Sequence, residues 1–282
     1  MTAFTPDHDT TFEPFAAHEF YRDINKELVE HALTLSNEQQ PLWKHRRVVD
    51  VACGTGAISR LVVDFWEANH LKGELVGFDP SETALERARQ AVKSTFTRFV
   101  QGAAESINSI VSATDVVLFF NALHLVEDKA KVLQQIRNTL NTRGLFAFNS
   151  SFYDGAYADG TQRFYRQWMV KALQMVRREH PEMRTDPAAK STAMRWLNKE
   201  QYNDLLKENG FTVLYSEERT ASIPLEGWTD ISGYSDFASG ALPGIPLSLS
   251  VPALRQALRD VFHDMNLPSV PRNWYQVVAQ RV

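Results

Sequence analysis

The chain has 282 residues, 44% of them apolar and 23% charged, with a net charge of −4 and a single cysteine. That balance supplies a buried core for one α/β unit with added segments, while no apolar run nears the roughly 18–20 residues that cross a bilayer. The acidic balance without a long basic cluster excludes a surface that tracks nucleic-acid phosphates, and the lone Cys53 excludes an internal disulfide. The opening Met1–Asp9 stretch lacks a basic-then-apolar leader, so a cytoplasmic setting is expected.

In chain order, the densest basic cluster, Lys44-His45-Arg46-Arg47, reads as the solvated start of a strand, Val48–Ala52. Cys53-Gly54-Thr55-Gly56 follows, then a helix over Ala57–Asn69 with Leu61, Val62, Phe65 and Trp66 on one face. Glycines at such a strand-to-helix junction let a ligand approach the main chain, and the helix start offers unpaired N–H groups to an anion. Cys53 reads as a small packed residue of that turn. A second strand, Glu74–Asp79, ends in a carboxylate placed to accept hydrogen bonds from two ribose hydroxyls. Ser81 caps a helix over Glu82–Ser94, and a third strand covers Thr97–Val100.

The stretch Asp115–Phe120 is apolar almost throughout, as a strand buried on both faces should be, and ends at Asn121-Ala122-Leu123-His124. A helix over Lys129–Leu140, a turn at Asn141–Gly144 and a strand at Leu145–Asn149 complete the alternation. A long helix over Thr161–Glu179 then carries Phe164, Trp168, Ala172 and Val176 as a packing stripe. Asn198–Gln201 forms a capping-box start for a helix ending at Asn209-Gly210. Strands Phe211–Tyr215 and Trp274–Ala279 are separated by residues 221–272, which hold six of the twelve prolines and a helix over Val251–Met265. An insertion of that length between paired strands suits a lid or a binding surface. The expected organisation is therefore N-terminal cap helices over 1–45, a cofactor core over 46–150, a helical cap insertion over 151–197, and the end of the sheet over 198–282 with a lid at about 221–272.

The glycine turn and Asp79 suit a nicotinamide dinucleotide and S-adenosylmethionine alike. Two features separate them: Ser59 stands where the dinucleotide fingerprint wants a third Gly or Ala, and Asp50 is an acid inside the first strand. With Asp50 ahead of Cys53-Gly54-Thr55-Gly56, and with Phe78-Asp79-Pro80-Ser81, roughly residues 45–150 resemble the class I S-adenosylmethionine-dependent methyltransferases of small-molecule type. The resemblance implies an α/β fold, a doubly wound, seven-stranded, mostly parallel Rossmann-like sheet whose last strand is antiparallel, with helical caps from both ends of the chain. It implies S-adenosylmethionine as cofactor, S-adenosylhomocysteine as product, and methyl transfer to oxygen or nitrogen of a small, apolar or aromatic acceptor. Carbon methylation, as in isoprenoid or polyketide tailoring, is the alternative within the family, and a non-catalytic S-adenosylmethionine-binding module the alternative from another class. A dinucleotide oxidoreductase lacks its third glycine here.

The implied cofactor residues are Asp50, Ala52, Cys53, Gly54, Thr55, Gly56, Asp79, Pro80, Ala104, Glu105 and Asn121. The backbone at Gly54–Gly56 seats the methionine part, Asp79 the ribose and the Ala104 N–H the adenine ring. Where the family reads Gly-Asp-Ala-Glu, this chain has Gly102-Ala103-Ala104-Glu105, so the adenine-binding Asp is missing. Asn121-Ala122-Leu123-His124 departs from the Pro-Pro-aromatic sequence of DNA and protein-amide methyltransferases and resembles the small-molecule type. His124 is a candidate base, since an ordinary imidazole titrates at roughly 6.5; the other reading is a histidine that bonds a cap segment or the cofactor carboxylate. Tyr21 is the second catalytic candidate, and His18, Phe152, Tyr153 and Trp168 are candidates for the acceptor, each also readable as packing. No histidines or carboxylates have ligand spacing, so no metal is expected, and the acceptor is the only partner implied, with neither nucleic acid nor membrane. The oligomeric state stays open.

Overall fold

The computed structural model describes residues 11–39, 46–186 and 196–282; the Met1–Asp9 stretch and Lys44-His45 fall outside them. Among the described residues the elements are α1 (Glu13–Ala16), α2 (Glu19–Gln39), β1 (Arg46–Val51), α3 (Ala57–Ala68), β2 (Gly73–Asp79), α4 (Glu82–Ala91), β3 (Thr97–Gln101), α5 (Ile107–Ile110), β4 (Thr114–Phe120), α6 (Lys129–Thr139) and β5 (Leu140–Ser150). There follow α7 (Gln162–Glu179), α8 (Lys199–Glu208), β6 (Phe211–Ile223), α9 (Leu225–Gly233), α10 (Ser235–Ala241), α11 (Leu247–Asp264) and β7 (Val270–Arg281). None of these helices is long and apolar enough to cross a membrane.

The sheet has seven strands in the order β3-β2-β1-β4-β5-β7-β6. Strands β1 to β5 pair in parallel and β7 runs antiparallel to β5, as the resemblance implies. The order reverses between β1 and β4, and a crevice opens at the carboxyl ends of strands at such a switch point. Alternation decides which side chains line each face. Val48, Leu75, Val116, Leu118, Leu145, Ala147 and Val278 project into one core with Leu28, Val29, Ala32 and Leu33 of α2 and Leu61, Val62 and Trp66 of α3. Val49, Val76, Phe78, Val117, Phe119, Phe146 and Phe148, the intervening residues, are also buried, so the central strands are apolar on both sides.

The chain forms two compact units. One holds residues 22–153, 197–219 and 274–282 where described, and contains β1 to β5 with most of β6 and β7. The other holds 11–21, 154–186, 196 and 220–273, a mainly helical unit in which α7 and α11 pack along each other. Its interior is ring-rich: Phe164, Trp168 and Trp228 are buried with centroids 5.6–5.8 Å apart, and Phe262 meets Phe164 edge-on.

Several elements differ from the sequence-based expectation: β7 runs from Val270 to Arg281 rather than Trp274 to Ala279, the insertion also holds α9 and α10, and three further differences have a physical reason. The Asn141–Gly144 turn is instead part of β5: Leu140 pairs with Thr114, the register shifts before Val116, and Arg143 takes a positive φ of 63°. Turn-forming residues here make a strand irregularity rather than a loop. Strand β6 runs past Tyr215 to Ile223, because Glu217, Glu218 and Arg219 sit on an edge strand where charges face solvent. Helix α11 begins at Leu247, ahead of the expected Val251, and takes Pro252 into its interior.

Close approach rather than a turn requires glycine at position 77. It pairs with Phe99 of β3, and a Cβ there would lie 2.3 Å from Phe99 Cδ1 and 3.0 Å from Cys53 Sγ. The obstructing atom is at the base of the ring and cannot swing away without moving β3. Gly77→Ala is therefore expected to cost about 1–3 kcal/mol by overpacking, read as a lower urea midpoint; an unchanged midpoint would contradict the packing described.

Candidate cofactor and active site

The loop from β1 to α3 turns tightly because Cys53 N–H donates to Phe78 O at 3.2 Å and Gly56 N–H to Cys53 O at 2.9 Å. Ala52, Gly54 and Gly56 all have positive φ, at 53°, 52° and 87°. A Cβ at Gly54 would meet nothing within 4 Å, whereas one at Gly56 would touch Val92 Cγ2 at 3.0 Å and Ala88 Cβ at 3.2 Å. Gly54 therefore leaves an open cradle, and Gly56 lets the loop approach α4 closely. Thr55 completes this half-buried turn.

Asp79 ties the cradle to β2. Its Oδ2 accepts Gly54 N–H at 2.9 Å and its Oδ1 accepts Ser81 N–H at 2.9 Å, while Gly102 N–H donates to its main-chain oxygen at 3.0 Å. Each carboxylate oxygen keeps a second acceptor position, which fits the two hydroxyls of a ribose. Beneath the turn lies Asp50, 1% exposed, whose Oδ2 accepts the Ser59 hydroxyl at 2.7 Å. Burial pushes the Asp50 carboxyl up to about 7; the Ser59 hydrogen bond opposes this, and the nearby charge of Asp79 adds to it. Cys53 is buried in the same turn, and burial with the charges of Asp50 and Asp79 pushes its thiol well above the usual range, which leaves it inert as a nucleophile.

The remaining cofactor candidates line the same end of the sheet. Gln101 Nε2 holds Pro80 O at 2.9 Å, and Ala104 and Glu105 form a 3-10 turn just past β3, with Glu105 exposed. Asn121, at the end of β4, has a left-handed φ of 52°, which asparagine tolerates. Its main-chain N–H donates to Asn149 O at 3.0 Å and to Asn149 Oδ1 at 3.1 Å. Both ends of its side chain are engaged by protein: Oδ1 accepts Trp274 Nε1–H at 2.9 Å, and Nδ2 donates to Asn25 Oδ1 at 3.1 Å. Asn149 Nδ2 reaches the same Asn25 oxygen at 2.8 Å, and Gln276 Nε2 donates to Ile24 O at 2.8 Å. A buried amide network thus fastens α2 to β4, β5 and β7, so the Asn121 side chain serves the scaffold and its main chain is the part suited to a ligand.

His124 follows on a short 3-10 turn, 2% exposed. Its ring stacks on Phe152 at 4.4 Å and 19°, and its Nδ1 lies 3.2 Å from Ser150 Oγ. Tyr153 is fully buried, with its hydroxyl 2.5 Å from Glu218 Oε2 and its ring 5.8 Å from that of Tyr275. The other candidates belong to the helical unit. Tyr21 is buried edge-on to Phe12 and Phe15, at 5.5 and 5.8 Å. His18 stacks on Phe20 at 5.2 Å and its Nε2 lies 2.7 Å from Asp230 Oδ2. Trp168 has no exposed surface and donates its indole N–H to Leu254 O at 2.8 Å. Among the described residues no three His, Cys, Asp or Glu side chains converge as a metal site.

Sequence reasoning did not single out Asn25, Ser150 or Trp274. Asn25 and Trp274 meet Asn121 across 96 and 153 residues, and no local pattern marks such partners.

A family model described as a methyltransferase domain matches residues 42–210. Among solved structures, loganic acid methyltransferase with S-adenosylhomocysteine superposes with a TM-score of 0.63 at 11% identity, covering 99% of this chain and 98% of that one. A candidate methyltransferase of Bacillus halodurans gives 0.54 at 16% identity over 89% and 98%. A candidate sarcosine dimethylglycine methyltransferase of Galdieria sulphuraria gives 0.53 at 16% over 96% and 91%. At these identities the likeness is one of fold.

Proposed function

From the premise that this chain belongs to the S-adenosylmethionine-dependent methyltransferase family, we propose that it methylates oxygen or nitrogen of a small, apolar or aromatic metabolite. The observation that carries the cofactor half is the double anchoring of Asp79, which joins the open Gly54 cradle to the ribose acid at hydrogen-bond distance. When bound, S-adenosylmethionine supplies a methyl group on a positively charged sulfur. The chain's own work is to bind and orient. Asp79 holds the ribose, the Ala52–Gly56 main chain seats the methionine part with Asp50 supplying negative charge beneath it, and Ala104 and Glu105 flank the base. Holding nucleophile, methyl carbon and sulfur in line at near-contact distance is where most of the rate comes from. His124, with Phe152 flat against it, acts at the acceptor, and this ring-rich setting supports an apolar or aromatic partner. Calorimetric titration with S-adenosylmethionine, S-adenosylhomocysteine and NADH tests the reading. Binding of the first two and none of the third is expected; NADH binding without S-adenosylmethionine binding would sink it.

A further inference from the structure

Helices α7 and α11 run in opposite directions, with Phe164 against Phe262 toward one end and Val176 and Ala253 lining a shared cavity at the other. The cavity lies within the helical unit and has a volume of about 380 Å³. Small-molecule sites span roughly 300–1,000 Å³, so this one has room for a single small metabolite. The buried Val176 and Ala253 and the half-buried Leu249 give it an apolar side. Its charges come from the last turn of α7: Arg178 and Glu179 both line the cavity, both are exposed, and neither has an ion partner among the described residues. The other ionic and amide groups there are already engaged. His180 Nδ1 lies 3.6 Å from Glu182 Oε1, while Gln256 donates to Asp260 Oδ1 at 2.9 Å and accepts from Arg259 at 2.7 Å. Glu179 also stands at the negative end of the α7 dipole, where a carboxylate is disfavoured and an added cation is favoured.

We propose that the cavity between α7 and α11 binds an apolar α-amino acid as its zwitterion, with the carboxylate at Arg178, the ammonium group at Glu179 and the side chain against Val176, Leu249 and Ala253. The lining selects this class by exclusion as well as by fit. A lone anion meets the Glu179 carboxylate, and a lone cation meets the Arg178 guanidinium. A molecule with both charges on one carbon satisfies the two together, and its apolar side chain covers the surface that an ion alone would leave wet. The planar fork of Arg178 matches a carboxylate, and the neighbouring acid takes the ammonium hydrogens. None of these residues belongs to the Gly54 cradle, so the inference stands apart from the methyltransferase reading.

The test titrates the ¹⁵N-labelled full chain with L-leucine at about pH 6.5, where an α-amino group is protonated, with and without saturating S-adenosylhomocysteine. Saturable amide shifts are expected at residues 175–180 and 248–256, unaltered by the nucleoside. Glycine should bind at least tenfold more weakly, because it leaves the apolar side uncovered. N-acetyl-L-leucine, which keeps only the negative charge, and L-leucinamide, which keeps only the positive one, should each bind about fivefold or more weakly. Arg178→Gln and Glu179→Gln should each weaken leucine to a similar degree. Both residues are exposed, so the melting temperature should stay put and a loss of binding reports the site rather than the fold. Absence of saturable leucine binding overturns the proposal, as does binding that ignores both substitutions. N-acetyl-L-leucine or L-leucinamide binding as tightly as leucine overturns the zwitterion. Leucine displaced by S-adenosylhomocysteine would lie in the cofactor cradle and overturns the site. Failure of S-adenosylhomocysteine itself to bind counts against the methyltransferase reading and leaves these outcomes as they are.

Discussion

Replacing Asp79 with asparagine is expected to weaken S-adenosylmethionine binding about 100-fold, or about 2.7 kcal/mol, the scale of one to two hydrogen bonds to a charged acceptor. The carboxylate has two tasks at once. Both oxygens already accept main-chain N–H groups, from Gly54 and Ser81, and the same oxygens are proposed to receive the ribose. Asparagine supplies only one acceptor oxygen, so its amide must point a donor at one of two donors. The turn loosens and the cofactor loses an acceptor together. Calorimetric titration beside a melting curve separates these losses. Asp128→Ala provides the control, because Asp128 caps α6 through Lys131 N–H at 2.9 Å; its loss should cost about 1 kcal/mol of stability with the cofactor Kd unchanged. If Asp79→Asn lowers the melting temperature as Asp128→Ala does but leaves the Kd alone, Asp79 is a turn fastener and the ribose assignment falls.

What was legible in the sequence was local. The Cys53–Gly56 turn, the acid at Asp79, the Ser81 cap and the Asn198–Gln201 capping box each depend on residues within one element or one junction, and the structure forms all of them. The antiparallel last strand followed from resemblance rather than from pattern. Where polarity and conformation conflict, pattern misleads: Asn141–Gly144 has turn composition yet lies in β5, and the charged end of β6 is strand because an edge needs only one apolar side. Candidate residues divide in the same way. Tyr21 and Trp168 were distinguishable from core aromatics only by position, and both are buried among other rings. The settings of Asn121 and His124 depend on partners distant in sequence: Trp274 and Asn25 turn the Asn121 amide inward, and Ser150, 26 residues on, lies 3.2 Å from the His124 Nδ1.

Asp50→Asn is expected to stabilise the ligand-free enzyme at pH 8 while weakening its grip on the cofactor, a pairing that ordinary core substitutions do not produce. The sign follows from the raised carboxyl. Its folded value of about 7 lies above the ordinary value of 3.8, so between those pH values the folded chain binds the proton more strongly than the unfolded chain. Stability from this group is thus fully present below about pH 4, declines as pH rises, and is lost above about 7, with an upper bound of about 4 kcal/mol. Asparagine is neutral throughout. The variant should melt higher than the wild type by a margin that widens from pH 5 to pH 8, where it reaches several degrees. Such a destabilising acid has a use if a positive ligand arrives, because the sulfonium and ammonium groups of S-adenosylmethionine favour the ionised carboxylate that the empty fold disfavours. Cofactor binding at pH 6 should then release a proton, detectable as a dependence of the calorimetric heat on buffer ionisation enthalpy, and affinity should rise from pH 6 to 8. In Asp50→Asn both the proton release and the pH dependence should vanish, with affinity at pH 8 down about tenfold, or about 1.4 kcal/mol. Equal melting temperatures at every pH would place the Asp50 carboxyl in its ordinary range, and an unaltered affinity would free it of any part in holding the cofactor.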